Sequence, residues 1–181
     1  SPDTHYVSKA AVEALRARVC LYMEDYEQAL KSASDVIEDY GFSLTPRDGY
    51  FDMFTTVNNR GSETIFALDG YGESRDLTKA FDCQSFYLLP SKKLLDIFRA
   101  DEDSAHPDVR YSLLNYDGRT GSKGCSMKYT ILEDVSDKEK AVDVFVSRLS
   151  EMYLIRAEAL CALNRNLDVA AGDVAKLRAR A

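Results

Sequence analysis

RLSEMYLIRAEALCAL, residues 148–163, is the stretch that decides the fold. Leu149, Met152, Tyr153, Arg156, Ala159, Leu160 and Leu163 recur at steps of three and four, which places them along one stripe of a helix. Asn164-Arg165-Asn166 breaks the pattern, and Val169, Ala170, Val174 and Leu177 resume it over 167–180. Two helices joined by so short a break form a hairpin. A second hairpin stands at the other end of the chain. SKAAVEALRARVCLYM (8–23) is rich in strong helix formers, with Val12, Leu15, Val19 and Tyr22 at helical spacing. After Glu24-Asp25 the set Tyr26, Ala29, Leu30, Ala33, Val36, Ile37 and Tyr40 repeats in the same way until Gly41 ends it. Ala17 and Ala29 are small residues where the two helices would approach closely, and Asp25 to Leu30 reads as the turn and second-helix start of a tetratricopeptide (TPR) repeat. Each hairpin has an apolar stripe it cannot bury alone, so the four helices are expected to pack on one another.

The residues between the hairpins, 42–147, differ in kind. They hold Pro46, Pro90 and Pro107 and, with Gly41 at their border, eight of the nine glycines, together with most of the Tyr and Phe. Glu63–Leu68 (ETIFAL) and Asp143–Val146 are expected as short strands, and Ser91–Phe98 as a short helix behind Pro90. The fold expected is therefore mainly α: TPR-like helical hairpins with a long, loop-rich insertion carrying short strands, in one domain or the larger part of one.

The chain of 181 residues carries 23 Lys and Arg against 30 Asp and Glu, a formal charge of −7, which argues against nucleic acid as a partner. Lys176, Arg178 and Arg180 complement the C-terminal end of a helix dipole. No run of apolar residues is long enough to span a bilayer, and no leader-like segment opens the sequence. Cys20, Cys83, Cys125 and Cys161 lack metal-type spacing; Cys20 and Cys161 fall in apolar helical patterns and read as buried free thiols.

Several segments in order resemble the SusD/RagB family of Bacteroidetes surface lipoproteins. They are KAAVEALRARVCLYM with DYEQALKSASDVIEDYGFSL, Tyr50-Phe51-Asp52-Met53-Phe54, Ser62-Glu63-Thr64-Ile65-Phe66, LLPSKKLLDIFRADEDSAHPDVR with Asp108 and Arg110, Lys128-Tyr129, and finally RLSEMYLIRAEALCALNR with the closing LRARA. The resemblance implies an α/α superhelix of the SusD type. It also implies a non-catalytic protein on the outward face of the outer membrane that captures a glycan or oligosaccharide. The partner implied is a TonB-dependent, SusC-like transporter, with membrane contact only through a lipid anchor outside this chain. Compared with the family pattern, the chain is expected to be a piece lacking the lipid cysteine, the first helical repeats and a C-terminal segment.

The residues themselves leave three function classes open: glycan binding, a TPR-like scaffold for a protein or peptide, and a glycoside hydrolase. Nucleophilic catalysis needs a positioned base, yet the two histidines, His5 and His106, have no partner motif and read as solvated. No catalytic residue, metal or cofactor is expected. The acidic run Asp101, Glu102, Asp103, His106 and Asp108 lacks the glycine and terminal Glu of a calcium loop. Glu151, Arg156, Glu158 and Arg148 read as structural ion pairs between helices. Sugar binding needs flat aromatic faces with nearby hydrogen-bonding groups, and the chain contains no Trp. The stretch from Asp69 to Tyr87 supplies Tyr71 between two glycines, Arg75 and Asp76 as directional polar groups, and Tyr87 as a second aromatic. Tyr71, Arg75, Asp76 and Tyr87 are the ligand-binding candidates; Phe81, Phe86 and Phe98 are expected to pack.

Overall fold

The computed structural model describes residues 4–57, 59–70, 90–100, 105, 107–114, 128–129 and 142–181. Among these, five helices and two short strands follow one another as α1 (Lys9–Tyr22), α2 (Tyr26–Asp39), β1 (Thr64–Leu68), α3 (Lys92–Arg99), β2 (Val144–Arg148), α4 (Leu149–Ala162) and α5 (Leu167–Arg180). β1 pairs with β2. None of the described helices is long and apolar enough to cross a membrane.

Local chemistry sets the helix ends. The Ser8 hydroxyl accepts from the Ala11 N–H and the Asp25 carboxylate from the Gln28 N–H, each satisfying a donor that a helix start leaves orphaned. The α1–α2 turn requires a left-handed residue, Glu24 at φ 60°, and the α4–α5 turn uses Asn164 and Asn166 at φ 51° and 46°. Asparagine tolerates that region; glutamate is there because only three residues separate the helices. Gly41, at φ 71°, follows the end of α2 as the sequence suggests.

The chain divides into two compact units. The first comprises Ser1–Thr45, Ser62–Ala67 and Phe145–Arg180, and the second Pro46–Gly61, Leu68–Val144 and Ala181. In the first unit α2 and α4 are central: α1 packs on both, and α5 packs on α4. Their shared core is built from Ala10, Ala11, Ala14, Ala17, Ala29, Ala33, Val36, Ile65, Met152, Ile155 and Ala159. Ala17 and Ala29 are both fully buried, the close approach their size permits.

Three expectations are corrected. Val12, Leu15, Val19 and Tyr22 do not face the core; they are 53%, 52%, 46% and 83% exposed, and α1 packs through alanines instead. A face of methyl groups lets the axes approach closely, which a face of Val and Leu at the same position would prevent. Cys161 is a free thiol as expected but lies exposed, while Cys20 is half-buried; Cys83 and Cys125 fall outside the described residues. His5 is half-buried rather than solvated.

Charges join the elements. Arg156 of α4, largely buried, forks onto Asp173 of α5 through Nε to Oδ2 at 2.7 Å and a second nitrogen to Oδ1 at 2.8 Å. Its remaining nitrogen reaches Glu38 of α2 at 2.9 Å. The hydrogen bond to Asp173 raises the Arg156 pKa despite the opposing effect of burial. Arg18 of α1 bonds both oxygens of Glu151 and the Val146 carbonyl, so Glu151 and Arg156 are paired between helices as their place within an otherwise apolar helix suggests. Glu158 is exposed.

Asp173 is 1% exposed, so removing Arg156 leaves a buried carboxylate with only the exposed Lys176 ammonium, 3.7 Å away, beside it. Arg156→Met is expected to lower unfolding free energy by about 3–5 kcal/mol in urea titrations, and the Arg156→Met/Asp173→Leu double variant to recover most of that loss. Additive losses in the double variant would show that the pair is not coupled.

Candidate functional site

Tyr71, Arg75, Asp76 and Tyr87 lie outside the described residues, as do Phe81 and Phe86. What the structure defines is the second unit's framework on either side of residues 71–89, and which aromatic rings that framework uses.

On the N-terminal side, the Gly70 N–H donates to Asp143 Oδ1 at 3.0 Å, and Arg60 Nε donates to Asp143 Oδ2 at 2.5 Å. Asp143 is 3% exposed, so both oxygens of a desolvated carboxylate are engaged by donors from two distant segments. Gly70 is itself buried. The backbone entering Tyr71 is thus held by a charge-assisted bond.

On the C-terminal side, Pro90 precedes Ser91, whose hydroxyl accepts from the Leu94 N–H to cap α3 at 3.2 Å. Leu95 and Phe98, four and seven residues beyond Ser91, turn inward and form a cluster with Tyr111 and Leu114. The Phe98 and Tyr111 rings stack at 5.9 Å with an interplanar angle of 18°, and the Arg110 guanidinium lies 5.6 Å from the Phe98 ring centre. Phe98 therefore packs, as expected from sequence. Arg110 is held by Asp108, which accepts from its backbone N–H and its guanidinium. Arg47 bonds the carbonyls of Pro107 and Ala181, and the Val109 N–H donates to Ala181 at 3.1 Å, fixing the same turn.

Burial disfavours the ionised form of Asp108, but hydrogen bonds from the Arg110 side chain and backbone, with the nearby Arg47 charge, outweigh it and hold the carboxyl below its ordinary range. The same pairing raises the Arg110 pKa.

A third group comes from segments that the sequence offers only as separate motifs. Phe54, fully buried, meets Tyr50 edge-on at 5.3 Å and Tyr129 edge-on at 5.9 Å, and the Lys128 ammonium lies 4.8 Å from its ring centre. The Tyr129 N–H donates to the Phe54 carbonyl at 2.9 Å, with Tyr129 at φ 69°. The aromatic faces of Tyr50, Phe54, Phe98 and Tyr111 are thus spent on packing and on cations. Residues that sequence reasoning passed over are Asp143 and, in the first unit, Glu63 and Asp173. For Asp143 and Asp173 the available signal was an acid set among apolar or small residues, as in AVDVFV at 141–146; Glu63, in RGSETIF at 60–66, carries no such signal.

The sign of the Asp108 effect gives a test. Its folded-state pKa is depressed, so the stabilisation is present above the ordinary aspartate value of about 3.9 and is lost as pH falls through the folded-state value. Asp108→Asn is expected to lower Tm near pH 7 by an amount worth about 1 kcal/mol or less, since Arg110 is exposed and water screens the pair. The gap to the native protein should narrow below about pH 4 in thermal melts; a gap independent of pH would assign Asp108 a packing role only.

Residues 114–181 match the model of the SusD family. Among curated proteins none matches the chain. Among solved structures, a SusD superfamily protein from Bacteroides vulgatus superimposes with a TM-score of 0.80 at 25% identity, covering 99% of this chain and 42% of that one. A SusD superfamily protein from Bacteroides thetaiotaomicron gives 0.77 at 24% identity, covering 98% and 42%. A SusD-like carbohydrate binding protein from Bacteroides vulgatus gives 0.72 at 18% identity, covering 99% and 38%. The chain spans less than half the length of these proteins. Residues 114–181 thus carry a SusD-family sequence match, and the chain shares its helical fold over nearly its whole length with SusD superfamily proteins.

Proposed function

We propose that the chain is part of an outward-facing, lipid-anchored outer-membrane protein that binds glycans without turning them over and passes them to a TonB-dependent, SusC-like transporter. The observation that carries this reading is the SusD-like fold over 98–99% of the chain, with a SusD-like carbohydrate binding protein among those sharing it. The composition agrees. With no Trp in the chain, a pyranose face must be met by Tyr or Phe. Tyr50, Phe54, Phe98 and Tyr111 are committed to packing, and Tyr71 and Tyr87 are the candidates that the sequence supplies beside directional polar groups.

In this reading Tyr71 stacks on the sugar, Arg75 and Asp76 hydrogen-bond hydroxyls, and Tyr87 is the secondary aromatic. Glycines on both sides of Tyr71 let its ring stand clear of the backbone. The bonded Gly70 and the capped α3 fix the flanks of the segment, which limits the ordering cost that binding must meet. Capture requires only differential affinity, so no nucleophile or base is assigned.

Tyr71→Ala, made in the polypeptide as the organism produces it, is expected to weaken binding to its best glycan-array ligand by roughly fivefold or more, on the order of 1 kcal/mol, with Tm nearly unchanged. Unaltered affinity, or a large loss of stability, would remove Tyr71 from the site. Release of reducing sugar by the purified protein, abolished by one carboxylate substitution, would replace capture with hydrolysis.

A further inference from the structure

We propose that Asp143 is a positioning residue for glycan binding, an assignment that rests on the glycan reading above. By holding the Gly70 amide it fixes the backbone immediately before Tyr71, so part of the affinity resides in a carboxylate that does not itself touch the sugar.

Leu68 and Asp69 are exposed, and the chain turns inward at Gly70, which is buried. A buried glycine buries only backbone, so its N–H must find an acceptor. Asp143, 73 residues further along the chain, supplies one at 3.0 Å. Glycine is also the residue whose backbone has the most states to lose. Fixing Gly70 in the free protein removes ordering that a sugar would otherwise have to impose on binding, and the gain appears as affinity without any added contact.

Asp143 suits this task because it is both buried and neutralised. Its side chain is 4% exposed, and Arg60, from a third segment of the second unit, donates to its other oxygen. The guanidinium lets the carboxylate stay ionised away from water, and an ionised acceptor holds an N–H about twice as strongly as a neutral one. Arg60 thus supports Gly70 through Asp143. The opposite flank, at the start of α3, is held by the neutral Ser91 hydroxyl at 3.2 Å in an exposed setting. Of the two flanks, the one at Gly70 is the more firmly anchored, and its release is the one that binding should register.

Asp143→Ala alone would also take a charged partner from Arg60, so the test compares two variants of identical charge, Arg60→Met/Asp143→Asn and Arg60→Met/Asp143→Leu, made in the polypeptide as the organism produces it. Asparagine keeps an oxygen for the Gly70 N–H; leucine has nearly the same shape and none. The probe is the oligosaccharide that the native protein binds most tightly on a glycan array, titrated by calorimetry, and exchange of the Gly70 amide is followed by NMR after isotope labelling of the glycines. The leucine variant is expected to bind at least about fivefold more weakly than the asparagine variant and to exchange the Gly70 amide at least about tenfold faster, with the asparagine variant within about twofold of native affinity. Equal affinities in the two variants would overturn the assignment, and would leave the glycan reading standing where Tyr71→Ala still weakens binding. Affinity losses that follow Tm alike in both variants would make Asp143 a structural residue only and overturn it as well. A native protein that binds no array glycan would overturn the glycan reading and the assignment with it.

Discussion

The carboxylate of Glu63 is the constraint on which the first unit depends. It is fully buried, immediately before β1, and an unpaired charge there would be among the costliest defects a fold can hold. Arg148, the last residue of β2, donates to Oε1 at 2.7 Å, and Arg180, the last residue of α5, reaches Oε2. The Ser150 hydroxyl and the Thr45 N–H add longer contacts at 3.4 Å, and the Glu63 carbonyl accepts from the Leu149 N–H at 2.8 Å. One residue thus fixes the start of a strand, the strand-to-helix corner at 148–149, the C-terminal end of α5 and the segment leaving α2. Hydrophobic packing sets how closely these elements approach; the Glu63 network sets which ends meet.

Much of this was legible in the sequence. The helical periods place α1, α2, α4 and α5 within a residue or two of their observed ends, because capping residues and turn asparagines are local signals. ETIFAL and the run after Asp143 appear as strands for the same reason, although β2 continues to Arg148, where the sequence suggests a helix start. The periodicity failed on α1: spacing reports which side chains share a face, not what the face touches, and four alanines are a weaker hydropathy signal than Val12, Leu15, Val19 and Tyr22. Charge partners were less legible still. That Arg156 is paired follows from its place in an apolar stripe, but its choice of Asp173 and Glu38 depends on the crossing of three helices. Glu63 meets partners 85 and 117 residues away, a distance at which no spacing rule operates. The ligand candidates Tyr71, Arg75, Asp76 and Tyr87 rest on residue chemistry and on a resemblance, since they lie outside the described residues.

The second unit makes a related point about aromatic residues. Tyr50-Phe51-Asp52-Met53-Phe54 and Lys128-Tyr129 are distant short motifs, yet Phe54 serves as the floor for both Tyr129 and Lys128. A cation above a ring and an edge-on neighbour satisfy the quadrupole of Phe54 twice. An abundance of Tyr and Phe in a binding protein is therefore a poor guide to the number of rings available to a ligand.

The reach of the Glu63 contacts also sets an order of events during synthesis. The α1–α2 hairpin is a local structure and can form as soon as its residues emerge. Glu63 follows shortly after, but its guanidinium partners come 85 and 117 residues later, so until they are made this carboxylate must stay in water. The strand bearing it cannot close onto the core in that interval. Completion of the first unit is thus deferred until Arg148 and Arg180 have both been made, an interval in which β1 has no strand partner.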